Sequence, residues 1–84
     1  MLLSWTPHAW EDYLYWQRKD RKVLKRVNQL LKDMVRDPFE GIGKPEPLKY
    51  GIPNAWSRRI TDEHRIVYLV EDSELRILQA RYHY

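Results

Sequence analysis

Hydrophobic positions along the chain change their spacing several times, and each change marks an element. Residues 2–5 (Leu-Leu-Ser-Trp) are a short apolar stretch, long enough for one strand. Thr6-Pro7 then reads as a helix start, with Thr6 as N-cap and Pro7 in the first helical position, where its missing N–H is not needed. Trp5 and Trp10 occupy the two positions of a hydrophobic staple. Trp10, Tyr13, Leu14 and Gln17 share a face at helical spacing, with Tyr15 and Arg18 turned away. Asp20 is the next capping residue. After it Val23, Leu24, Val27, Leu30, Leu31 and Met34 recur at three- and four-residue steps, which predicts an amphipathic helix. Asp37-Pro38 ends it, because the residue before proline is pushed out of the helical region.

Residues 39–54 read as a loop. They hold Gly41, Gly43 and Gly51, which are all 3 glycines of the chain, and three of its prolines, Pro45, Pro47 and Pro53. Loops of this length in small domains tend to be functional. Residues 55–60, 65–70 and 75–84 are strand-like, and the short polar connectors 61–64 and 71–74 predict an antiparallel meander. The order is β-α-α-loop-β-β-β. The expected fold class is therefore α+β, an antiparallel sheet of the N-terminal strand and the three-stranded meander with two helices packed on one face.

Composition narrows this picture. At 84 residues the chain is a single domain, 1–84. Cysteine is absent, which excludes a disulfide scaffold, a thiolate zinc site and a cysteine nucleophile. The net charge of +3 is too mild to prove a nucleic-acid partner. The basic excess is local, however: between Arg18 and Arg36 eight Lys/Arg face only Asp20 and Asp33. Lys22, Lys25, Arg26, Gln29, Lys32 and Arg36 line the polar face of the second helix. The longest apolar run, residues 66–70, is far short of the ~20 of a membrane span. The N-terminus lacks the basic start and long apolar stretch of a signal peptide, so the expected location is cytoplasmic, with no membrane partner.

Three places carry candidate chemistry. The chain ends Arg81-Tyr82-His83-Tyr84, a composition that packing explains poorly; His83 is either a solvated tail histidine or a working one. Arg58-Arg59 precede a short turn and Arg65 follows it. A turn centred between Asp62 and Glu63 sets Arg59 opposite Arg65, which is unfavourable unless an anion lies between them, either a nearby carboxylate or a bound phosphate. In Lys44-Pro45-Glu46-Pro47-Leu48-Lys49 two prolines bracket Glu46, which is either a solvated loop carboxylate or a rigidly held general base beside Lys49. Gly41-Ile42-Gly43-Lys44 lacks the spacing of a phosphate-binding Walker loop. His8, His64 and His83 lack metal-ligand spacing, and no Ser-His-Asp motif stands out. Trp5, Trp10, Tyr13, Tyr15 and Trp16 suit a core or an interface better than base stacking. A carboxylate, a histidine, a lysine, guanidinium groups and a tyrosine together suit RNA cleavage without a cofactor. The 2′-OH must lose a proton, the phosphorus becomes crowded and anionic, and the 5′-oxygen must gain a proton.

Trp10-Glu11-Asp12-Tyr13-Leu14-Tyr15-Trp16-Gln17, the stretch from Pro38 to Lys49, Trp56-Ser57-Arg58-Arg59-Ile60-Thr61, His64-Arg65-Ile66-Val67-Tyr68 and the terminal Arg-Tyr-His-Tyr closely resemble the YoeB toxins of the RelE/ParE superfamily. The resemblance spans essentially the whole chain. It implies a RelE-like microbial ribonuclease fold and a ribosome-dependent endoribonuclease of a type II toxin–antitoxin system, cutting mRNA in the A site. It further implies a cognate YefM-type antitoxin whose extended C-terminal segment covers the active surface, a homodimer, and contacts to rRNA. Position by position it implies Glu46 as general base, His83 as general acid and Arg65 as stabiliser of the pentavalent phosphate. Lys49 and Arg59 become phosphate contacts, and Tyr84 orients the substrate or His83. Departures from the family fall outside these positions, as in residues 50–54. The alternative is a non-catalytic member of the superfamily that binds a protein target such as DNA gyrase.

Overall fold

Thr6 accepts the Ala9 N–H on its hydroxyl at 3.0 Å and Pro7 opens α1 (Pro7–Lys19), as the local sequence predicts. The Trp5 and Trp10 rings meet edge to face at 5.6 Å, completing the staple. Asp20 ends α1 and begins α2 (Arg21–Arg36), its carboxylate accepting the N–H groups of Lys22 and Val23. The structure, a computed structural model, describes residues 1–82.

The strands are β1 (Leu2–Trp5), β2 (Glu46–Pro47), β3 (Ala55–Arg59), β4 (Arg65–Val70) and β5 (Glu74–Gln79), in the sheet order β1-β5-β4-β3-β2. The α+β class and the meander β3-β4-β5 are as expected. The sheet is mixed rather than wholly antiparallel, because β1 lies parallel to β5, from Leu2 opposite Glu74 to Trp5 opposite Ile77. Apolar alternation reports which face a residue takes and carries no strand direction. The long connection through both helices leaves either direction open to β1. A second difference is β2, a two-residue edge strand inside the stretch that reads as loop. Pro47 is tolerated there because an edge strand need not donate on both sides.

Both helices cover one face of the sheet. Trp16, Val27, Leu30 and Met34 pack against Ile66, Tyr68, Leu75 and Ile77 in one buried cluster. Helix α2 buries the stripe foreseen for it, whereas α1 is rotated: Ala9, Asp12 and Trp16 are buried, while Trp10 is 45% exposed and Gln17 is exposed. Trp10 stacks on Tyr13 at the rim instead, freeing Asp12 and Trp16 to meet the end of the sheet.

The last strand also departs from expectation. It stops at Gln79 rather than running to the C-terminus. A register shift sets Val67 opposite Gln79 but Tyr68 opposite Ile77, so Leu78 is an extra residue in a bulge. Gln79 thereby moves to the face opposite the helices, and Ala80 becomes fully buried. The expected sidedness of His83 and Tyr84 lies outside the described residues.

Candidate active site

Strand register assembles the site. Glu46 lies opposite Ser57, Ser57 opposite Val67, and Arg59 opposite Arg65. Opposed residues share a face and neighbours along a strand alternate, so Glu46, Ser57, Arg59, Val67 and Arg65 all belong to the face without helices. Glu46 and Arg59 are diagonal neighbours, about 7–8 Å apart at the backbone, and Arg65 sits directly across from Arg59. Glu46 and Arg59 are exposed, and Arg65 is half-buried. Among the described residues no carboxylate pairs with Arg59. The proline-flanked Glu46 thus shares a sheet face with two arginines set opposite each other.

Arg58, between Ser57 and Arg59, points the other way and is fully buried. Its Nε donates to the Tyr68 hydroxyl at 3.1 Å, and its Nη1 to Asp33 Oδ2 at 2.7 Å and to the Ile42 carbonyl at 3.2 Å. Its Nη2 donates to the carbonyls of Asp37 and Glu40. Tyr68 passes its own hydroxyl hydrogen to the Pro38 carbonyl at 2.7 Å. One arginine therefore ties the end of α2 and the following loop to the sheet, and that loop leads straight into Glu46. Burial pushes the Tyr68 phenol above its ordinary value, although Arg58 opposes this.

Glycine lets the loop come this close. Gly43 takes a φ of +81°, and a Cβ there would stand 2.6 Å from Leu30 Cδ2. Its carbonyl accepts the Arg59 N–H at 2.7 Å. A side chain at 43 would lift the strand that carries Glu46 off the sheet edge.

Asp33 anchors the same loop from α2, accepting from Arg36 Nε and from the Ile42 N–H as well as from Arg58. The Arg36 bond, then the Ile42 and Arg58 bonds, hold its carboxyl well below the ordinary value of 3.8. As pH falls the unfolded chain takes up the Asp33 proton first. The stabilisation is full above the ordinary value and is lost as pH drops from there through the lowered folded-state value. Asp33→Asn is expected to be less stable than the unaltered chain at about pH 7 and to lose less on transfer to about pH 3. Urea unfolding at the two pH values measures this; parallel losses in both proteins would contradict the assignment.

Lys49 follows β2 and lines, with Glu46, Pro47, Tyr50 and Gly51, an open pocket of about 620 Å³. The structure thus brings Glu46, Lys49, Arg59 and Arg65 to one side of the molecule, while His83 and Tyr84 lie outside the described residues. Among the described residues no cluster of His, Cys, Asp and Glu is arranged to hold a metal ion. Arg59 is where the sequence sets it, opposite Arg65, whereas the buried task of Arg58 was not foreseen, although parity along β3 puts Arg58 on the side of Trp56 and Ile60, the packed side. The anchoring parts of Asp33 and Asp12 had no signal, since a lone helical aspartate ordinarily reads as solvated.

The family profile described as "YoeB-like toxin of bacterial type II toxin-antitoxin system" matches residues 5–84. The chain belongs to the YoeB toxin family. Toxin YoeB of Escherichia coli strain K12 is 56% identical over 84 residues, all of both chains. A YoeB/ParE toxin of Agrobacterium tumefaciens superimposes with a TM-score of 0.95 at 49% identity, again over the whole of both chains. YoeB of Staphylococcus aureus matches in two solved forms, each covering all of this chain. One is a dimer (TM-score 0.92, 46% identity, 98% of that chain) and the other a YoeB–YefM complex (TM-score 0.89, 45% identity, 99% of that chain). The YoeB family is thus the toxin side of a bacterial type II system. No helix among the described residues is long and apolar enough to cross a membrane.

Proposed function

We propose that this toxin is a ribosome-dependent endoribonuclease that cuts mRNA in the A site and so arrests translation. The observation that carries the reading is the register that sets Glu46 on the same helix-free face of the sheet as the opposed pair Arg59 and Arg65. A surface that only binds a protein target has no use for an acid–base pair. RNA transesterification needs one, with cations between. Glu46 removes the 2′-OH proton as that oxygen attacks phosphorus. Arg65 meets the charge that builds on the equatorial oxygens, helped by Arg59 and Lys49, since guanidinium forks match phosphate oxygens two at a time. His83 protonates the departing 5′-oxygen, and Tyr84 orients it or the substrate. The products are a 2′,3′-cyclic phosphate and a free 5′-hydroxyl. No cofactor enters these steps.

Lys22, Lys25 and Lys32 are exposed on α2 and fit rRNA held by shape and phosphate contact. A YefM-type antitoxin is the proposed inhibitor and a homodimer the proposed free form, by analogy with the S. aureus complex and dimer. The proposed location is cytoplasmic. Primer extension on a translated mRNA is the test: cuts inside the reading frame are expected only when ribosomes engage the message. Transcripts left intact while growth stops would overturn the reading and favour a gyrase-type protein target.

A further inference from the structure

Past β5 the chain turns, and residues far away in sequence hold the turn through its backbone. The Ala80 N–H donates to Asp12 Oδ2 at 3.0 Å, and the Ala80 carbonyl accepts from Trp16 Nε1 at 2.7 Å. Asp12 and Trp16 lie one turn apart on α1 and are only 6% and 5% exposed. Tyr82 has a φ of +64°, which a non-glycine residue seldom adopts unheld. Its N–H donates to His64 Nδ1 at 2.8 Å, and its carbonyl accepts the Arg65 N–H at 3.1 Å. The first of these bonds requires Nδ1 to be the unprotonated nitrogen. The His64 ring stands edge-on to Trp16 at 4.7 Å and tilted to Tyr82 at 5.4 Å. The Arg81 guanidinium lies 3.5 Å over the centre of the Tyr15 ring.

Besides the Ala80 N–H, Asp12 Oδ2 has the exposed His8 imidazole 3.5 Å away. A buried carboxylate with so few partners is a poor way to gain stability, because an apolar side chain would fill the same space without desolvating a charge. It does fix one backbone geometry, which sets the Tyr82 carbonyl on the Arg65 N–H at the start of β4. We propose that Asp12, Trp16 and His64 are positioning residues: they fix the turn at 80–82, whose Tyr82 carbonyl takes the Arg65 N–H, and thereby align Arg65 with the phosphate it meets. The proposal rests on the nuclease reading above. Its effect is on alignment, and a misplacement of about 1 Å costs on the order of 10²-fold in rate.

Single-turnover cleavage of mRNA on programmed ribosomes by the full chain tests it. His64→Ala and Asp12→Ala are expected to lower the maximal rate about 10–100-fold. The ribosome concentration at half-saturation is expected to move less than about 3-fold, because the residues act through alignment and not through binding. His64→Asn places an amide oxygen where Nδ1 was and is expected to return the rate to within about 5-fold. Hydrogen exchange at the Ala80 and Tyr82 amides is expected to quicken in the alanine variants, while the Ile66 and Tyr68 amides stay slow. If Asp12→Ala fails to fold, the His64 pair carries the test. Full-rate cutting by His64→Ala overturns the positioning. So does a loss that His64→Asn leaves unrepaired, and so does exchange that quickens throughout the core. Uncut mRNA with the unaltered chain overturns the nuclease reading itself, and this proposal with it.

Discussion

Glu46→Ala is expected to lower mRNA cleavage on translating ribosomes by about 10²–10⁴-fold, the usual range for removing a general base. The fold should survive. Glu46 is exposed, and its strand is held by backbone pairing to Ser57 and Trp56 and by the loop contacts of Arg58, none of which uses its carboxylate. His83→Gln is expected to fall in the same range, since it keeps a polar side chain but cannot give a proton to the leaving oxygen. The double variant is expected to fall well short of the product of the two losses, because groups acting on one transition state are not additive. Primer extension measures the rate and a thermal melt checks the fold. Wild-type rates in both single variants would leave the two groups without the roles assigned to them.

Arg58→Ala is expected to be the most damaging change to the fold. Removing one partner of a buried ionic network costs about 3–5 kcal/mol, because the remaining groups stay desolvated and unpaired. Here the groups left behind are the Tyr68 hydroxyl oxygen, the Asp33 carboxylate, which loses one of its three donors, and the carbonyls of Asp37, Glu40 and Ile42. Small domains have about 5–15 kcal/mol in total. For a domain of this size each kcal/mol shifts the melting temperature by about 4–8 °C, so a drop of about 12–40 °C follows. Arg58→Lys is not expected to rescue it, since an ammonium cannot span acceptors on so many sides of a planar fork. Arg59→Ala, one position along, is expected to stay within about 0.5 kcal/mol in stability, because an exposed side chain leaves nothing buried behind. Urea unfolding of the three variants measures the contrast. Equal stabilities for Arg58→Ala and Arg59→Ala would mean that the buried clamp is not what holds the loop.

The clamp also bears on the site. Asp33, Arg58 and Tyr68 lie away from the face that carries Glu46 and Arg59, yet they hold the segment that ends in Glu46, and Gly43 brings that segment within reach of β3. Two arginines next to each other in sequence thus have unrelated tasks, one inside the fold and one on the open face.

What the amino-acid order determined by itself is local. Thr6-Pro7, Asp20 and Asp37-Pro38 bound the helices through bonds that reach at most four residues, so they are legible without knowing the fold. The opposition of Arg59 and Arg65 was legible for the same reason, because a short connector sets the register of a hairpin. Tertiary structure alone decided the rest. The parallel course of β1, the pairing of Glu46 with Ser57, the bulge at Leu78 and the hold of Asp12 on Ala80 each join residues at least nine positions apart. Such pairings depend on which surfaces meet once the core has closed. A two-residue strand between prolines, or a carboxylate on a helix, bears no mark of a partner until packing supplies one.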